Sequence, residues 1–105
     1  MTLLAQSDMI RLVMIRSFKC TETQRIFQRT GSRRFHSIER LALRKLLLLE
    51  GSERVEDLRI PPGDRLEKLC GDRIGQYSIR MDHQYRVCFR WGSSSAWDVE
   101  IVDYH

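Results

Sequence analysis

The hydrophobic period of this chain changes once, and the change divides it. From Ser37 to Glu50 apolar residues recur every three or four positions. Ile38, Leu41, Ala42, Leu46 and Leu49 form one stripe, and Leu43, Leu47 and Leu48 widen it. That spacing predicts an amphipathic helix, stopped by Gly51. From Gly75 onward the period is two. Tyr77, Ile79 and Met81 alternate with Gln76, Ser78 and Arg80, and Tyr85, Val87, Phe89 and Trp91 alternate with Arg86, Cys88 and Arg90. AWDVEIVDYH carries the alternation to the last residue, with Trp97, Val99 and Ile101 on one face. Only the short loops DHQ and GSSS separate the three segments, so they are expected to pair as an antiparallel meander with one buried face.

Shorter elements are expected upstream. MIRSFKC (14–20) suits an edge strand. Thr21, with Gln24 three residues later, reads as a capping box opening a helix to about Arg29, which buries Ile26 and Phe27 and stops at Gly31. Ser52 to Leu58 adds a helical turn, IPPGD (60–64) breaks the chain, and RLEKL (65–69) adds a strand. Residues 1–13 have no clear period and are read as an extension to a single domain spanning 14–105. Helices followed by strands predict an α+β class, with two N-terminal helices packed on one face of a twisted antiparallel sheet of four to five strands.

Composition excludes several functions. Apolar residues make up 42% and charged residues 30%, which argues against disorder. The longest apolar run, Leu46 to Leu49, is one helical turn, far short of the ~20 residues of a membrane span. The opening MTLLAQSDMIRLV has neither a basic lead nor a long apolar stretch, so no secretory leader is expected and the cytoplasm is the expected compartment. Cys20, Cys70 and Cys88 fit neither a disulfide framework nor CxxC spacing, and are read as packing thiols. His36, His83 and His105 form no HxxxH or HExxH pattern, so neither metal nor cofactor is expected. Net charge is +4 and all but three of the 18 basic residues are arginine, a side chain suited to bidentate phosphate contact.

The chain ends on Asp103, Tyr104 and His105: a carboxylate, a phenol and an imidazole. A free terminus normally frays, but Trp97, Val99 and Ile101 would hold this one down. On the polar strand face Arg80, Arg86 and Arg90 are expected near that cluster, and arginines beside proton-moving groups suit a phosphodiester. Arg86 on an exposed strand face would ordinarily pair with Glu100 or Asp98 across the sheet. Trp91, Trp97 and Tyr85 lie on the apolar phase and are expected in the core.

CGDRIGQYSIRMDHQYRVCFRW, followed by VEIVDYH, closely resembles HigB-type toxins of the RelE/ParE superfamily, and MIRSFKC and PPGDRLEKL extend the match over residues 14–105. The resemblance implies a RelE-like fold and a ribosome-dependent mRNA endonuclease of a type II toxin–antitoxin module. Its reaction would be metal-free: the 2′-OH attacks the neighbouring phosphate, leaving a 2′,3′-cyclic phosphate and a 5′-hydroxyl. Arg86 matches the strand arginine that stabilises the transition state. His105, Tyr104 and Asp103 match the terminal cluster, with the imidazole as proton-transfer group and Asp103 supporting it. Arg73, Arg80, Lys68 and Arg65 are the basic residues expected to hold RNA. Where some members of the family carry a histidine and a lysine before GDR, this chain has Glu67 and Cys70. On an alternating strand Lys68 is expected to face away from Glu67. The implied partners are a HigA-like helix-turn-helix antitoxin, the ribosome with its mRNA, and operator DNA through the antitoxin, with no membrane. The alternatives are a ParE-like poison of DNA gyrase that cuts no RNA, and a weakened toxin kept mainly as corepressor.

Overall fold

The computed structural model describes residues 15–59 and 62–103. The expected N-terminal extension, and Tyr104 and His105, lie outside the described residues. Helix α1 spans Thr21–Phe27 and α2 spans Glu39–Gly51; strands β1 (Glu67–Lys68), β2 (Gln76–Arg80), β3 (Tyr85–Gly92) and β4 (Ser95–Asp103) follow. The four strands make one antiparallel sheet in the order β1-β2-β3-β4. No helix among the described residues is long and apolar enough to cross a membrane.

The apolar stripe of α2 folds as its spacing predicts, with Ala42, Leu46 and Leu49 fully buried. They share one apolar cluster with Ile26 of α1 and with Ile79, Val87, Phe89, Val99 and Ile101 of the sheet. Each of these Leu, Ile, Val and Phe side chains contributes about 1.5–3 kcal/mol on burial. Leu47, which would widen the stripe, is instead 43% exposed. A 3-10 turn, His36–Ile38, leads into α2.

The start of α1 departs from expectation. Cys20, in extended conformation, occupies the capping position, no side chain caps the helix, and the Cys20 carbonyl accepts from the Gln24 N–H at 3.1 Å. The capping box of Thr21 and Gln24 does not form, because Thr21 is already the first helical residue. The threonine that bonds is Thr23, buried, whose hydroxyl oxygen accepts the Ile101 N–H at 3.0 Å and ties α1 to β4. The helix ends at Phe27, two residues before expected, and the chain turns through left-handed Arg29 (φ 62°) and Gly31 (φ 85°).

Two irregularities reshape the sheet edge. Pairing moves from Cys88↔Glu100 to Arg90↔Trp97, so β4 carries an extra residue there, with Asp98 left-handed at φ 54°. Such a bulge reverses which side chains face the core. Trp97 is consequently 37% exposed, its indole N–H donating to the Gly92 carbonyl at 3.0 Å, while Ala96 is buried. The expectation of a core Trp97 is corrected on that ground. Of the expected edge strand 14–20, Met14 lies outside the described residues, and the rest meets β4 only through two isolated parallel bridges, Ile15↔Ala96 and Phe18↔Val99. Between them the bulge breaks the ladder, and the Asp98 N–H donates to the Ser17 hydroxyl at 2.8 Å. The β3–β4 hairpin turns on Ser93 and Ser94 at φ 52° and 59°, the positive values a two-residue type I′ turn needs.

Candidate active site

Successive residues of a strand face opposite sides, so register decides what meets on the polar side of the sheet. Glu67 lies opposite Ser78, Ser78 opposite Cys88, and Cys88 opposite Glu100; in the next row Arg80 lies opposite Arg86, and Arg86 opposite Val102. Arg86 is therefore flanked by a small serine on one diagonal and by the edge carboxylate Glu67 beyond it.

Arg86 is not on an exposed face, as the alternation alone implied; it is 8% exposed. Its Nε donates to the Ser78 hydroxyl at 2.7 Å, and its Nη2 to the Arg65 carbonyl at 2.7 Å and the Ser78 carbonyl at 3.4 Å. Glu67 Oε1 stands 3.6 Å from the same Nη2. The expected partners Glu100 and Asp98 are engaged elsewhere, Glu100 by Arg73 at 3.0 Å and Asp98 by Arg90 at 3.6 Å. Bonds to a charged donor are each worth about 1.5–3 kcal/mol, so the guanidinium is held rigidly before any ligand arrives.

The carbonyl that holds Arg86 is itself positioned. Arg65 is left-handed, φ 47°. The preceding Asp64 is fully buried and ion-paired with Lys45 of α2, itself largely buried. Helix α2 thus anchors the loop that anchors Arg86.

Arg65, Arg80, Asp82, His83 and Arg86 line a cleft of about 250 Å³. Arg80 Nε donates to the Asp82 carbonyl at 3.1 Å. Asp82 Oδ1 accepts the N–H groups of Gln84 and Tyr85 at 2.9 and 2.8 Å. Burial pushes the Asp82 carboxyl up, but the two N–H donors, with His83 and Arg80 nearby, outweigh it and hold the group below its ordinary range. Across the hairpin Asp103 lies opposite Tyr85, and its Oδ2 accepts from the Gln84 amide at 3.2 Å. Asp103 is thereby placed at the end of the sheet where the Asp82–Gln84 loop turns.

The remaining sequence candidates divide. Arg65, Arg80 and Arg86 share the cleft; Lys68 and Arg73 do not line it. Lys68 is opposite Tyr77, on the other side of β1 from Glu67, as expected. Arg73 donates to the Gln76 side-chain carbonyl at 3.1 Å and to Glu100 at 3.0 Å, a cross-sheet tie. Cys88 is buried, and burial pushes its thiol up, with Arg73, Glu100 and Arg86 as smaller influences. Cys70 is exposed rather than packed. Sequence reasoning missed Ser78, Asp82 and His83. Ser78 was recoverable, since a tight DHQ hairpin puts it one row from Arg86.

A family model described as a RelE-like toxin of the type II toxin-antitoxin system HigB matches residues 16–105. Toxin HigB-1 of Vibrio cholerae serotype O1 is 49% identical over 55 residues, covering 52% of this chain and 58% of that toxin. An uncharacterized protein of Haemophilus influenzae is 36% identical over 55 residues, 52% of this chain and 54% of that protein. The matched stretch spans little more than half the length of these curated relatives.

Proposed function

The chain belongs to the RelE-like toxins of type II toxin–antitoxin systems typified by HigB, and from that premise we propose that it is an endonuclease cutting mRNA on the ribosome. The observation that carries this reading is Arg86, a guanidinium fixed by Ser78 and Arg65 in a cleft with two further arginines. In the proposed reaction the 2′-oxygen attacks the adjacent phosphorus and the bond to the 5′-oxygen breaks. Arg86 stabilises the charge that builds on the phosphoryl oxygens, a role a preorganised donor fills at no reorganisation cost. His105 moves the proton, with Tyr104 beside it and Asp103 in support. Arg65 and Arg80 hold the RNA, and Lys68 and Arg73 would serve it only outside the cleft. Both helices pack on the sheet face opposite this site and form its support.

Glu67 sits where the scissile phosphate would approach Arg86, and the competition favours a slower nuclease than a histidine there would give. Naked RNA is cut poorly, because the ribosome supplies the alignment an in-line attack needs. A HigA-like helix-turn-helix antitoxin restrains the toxin and carries it to operator DNA.

The test is growth arrest in cells with antitoxin capture as the folding control. Arg86→Lys, and separately deletion of 103–105, should abolish arrest while both proteins still bind the antitoxin. Arrest at full strength by either variant contradicts the nuclease reading and favours a poison that acts by binding, such as a gyrase inhibitor.

A further inference from the structure

An in-line attack by a 2′-OH moves two protons, one off the attacking oxygen and one onto the departing 5′-oxygen. In the proposed reaction His105, supported by Asp103, suits the first, because a carboxylate beside an imidazole stabilises the ring once it has taken a proton. The second proton needs a donor. Arg65, Arg80, Asp82, His83 and Arg86 line the cleft. A guanidinium stays protonated throughout, and Asp82 is held in its ionised form with no proton to give. Among the described residues lining the cleft, that leaves His83, an imidazole, the side chain that gains and loses protons near neutrality.

The loop between β2 and β3 is braced on both sides of His83. The Met81 N–H donates to the Tyr85 carbonyl at 2.9 Å, and Asp82 Oδ1 accepts the Gln84 and Tyr85 N–H groups at 2.9 and 2.8 Å. The Gln84 amide donates to Asp103 Oδ2 at 3.2 Å, which ties the loop to the strand that leads to the terminal cluster. His83 thus stands between two anchored residues, at the end of the sheet where β4 finishes. It is exposed, so its ring can exchange protons with water between turnovers.

The charges around the ring suit a donor. Burial pushes the Asp82 carboxyl up, but the Tyr85 and Gln84 N–H groups, the protonated His83 ring and Arg80 together hold it ionised. Only the protonated ring exerts that attraction, and it is the form that carries a proton to give. Arg65, Arg80 and Arg86 share the cleft with it, and a bound phosphate sets a negative charge among these four cations.

We propose that His83 is the general acid of the cleavage, giving its proton to the 5′-oxygen as the bond from phosphorus to that oxygen breaks. The inference rests on the nuclease reading of the cleft. In each turnover the 2′-OH proton passes to His105 as the 2′-oxygen bonds to phosphorus, and His83 loses a proton to the new 5′-hydroxyl. Both rings then return to their starting states by exchange with water.

The test compares mRNA cleavage on translating ribosomes by wild type, His83→Gln and His36→Gln, the last an exposed histidine away from the cleft. Melts and antitoxin capture monitor folding. His83→Gln should slow cutting by about 10²–10⁴, while His36→Gln cuts at the wild-type rate. The wild-type rate should fall at high pH as the donor loses its proton, and His83→Gln should lack that fall. An mRNA with sulfur in place of the scissile 5′-oxygen separates a proton donor from a structural residue, because a thiolate leaves without a proton. On that mRNA His83→Gln should match wild type, and His83→Asn repeats the comparison if glutamine disturbs the loop. Undiminished cutting of ordinary mRNA by His83→Gln overturns the proposal and leaves the nuclease reading standing. So does an equal defect on the sulfur mRNA, which would make His83 a structural residue. Absence of cutting by wild type removes the nuclease reading and this assignment together.

Discussion

Among the described residues Arg86 is held by three oxygens and faced by a fourth, and what it can do depends on which of them can leave. The Ser78 and Arg65 oxygens at 2.7 Å are enclosed. Glu67, at 3.6 Å, is 53% exposed and sits on a two-residue edge strand, so it can swing aside for a phosphate. With Glu67 half exposed and 3.6 Å away, the pair is worth about 1 kcal/mol. Glu67→Gln should accordingly raise the rate of ribosome-dependent cleavage roughly twofold to fivefold. A rate that falls instead would make Glu67 the base of the reaction. Asp82 gives a pH prediction. Its folded-state carboxyl titrates below the ordinary 3.8, so its contribution to stability is complete above the unfolded value and disappears as pH falls through the folded one. Asp82→Asn should flatten the loss of stability below about pH 4, measured as unfolding midpoints in denaturant across that range. Parallel curves for the two proteins would mean the carboxylate is not what holds the hairpin loop. The identities of these residues were legible in sequence, but the burial of Arg86 was not, because its contacts with Arg65 and Glu67 join residues some twenty positions apart that no local pattern connects.

At the level of elements, what could be read was what periodicity controls. The stripe of α2 and the alternation of β2 and β3 follow from side-chain spacing alone. The failures lie where one backbone residue changes the phase. Left-handed Asp98 moved Trp97 out of the core, and an extended Cys20 displaced the cap from Thr21. Neither leaves a mark in hydrophobic pattern. The link from α2 to the cleft, Lys45 to Asp64 and then the Arg65 carbonyl to Arg86, was also illegible, since it joins residues that no local motif connects. Removing one partner of a buried ion pair typically costs about 3–5 kcal/mol, while replacing both with apolar groups is often neutral. Lys45→Met should destabilise the protein by that amount and slow cleavage at temperatures where it is still folded. K45M/D64L should recover most of the stability, as read from denaturant unfolding. A double variant no more stable than the single would show that the pair does not act as a unit.

Across the whole molecule, chemistry and charge are placed apart. The cleft lies at the Asp82–Gln84 end of the sheet, and the surplus of positive charge lies in residues 21–45. Of the strand arginines that alternation singled out, Arg80 and Arg86 line the cleft and Arg90 pairs with Asp98 away from it. The central claim is that the Arg86 cleft cuts mRNA, and the most direct measurement maps new mRNA ends on translating ribosomes. Wild-type protein should produce cuts bearing a 5′-hydroxyl and a 2′,3′-cyclic phosphate, and Arg86→Lys should reduce their rate by about 10²–10³. Absence of any such ends during growth arrest by the wild-type protein, or undiminished cutting by Arg86→Lys, would contradict it.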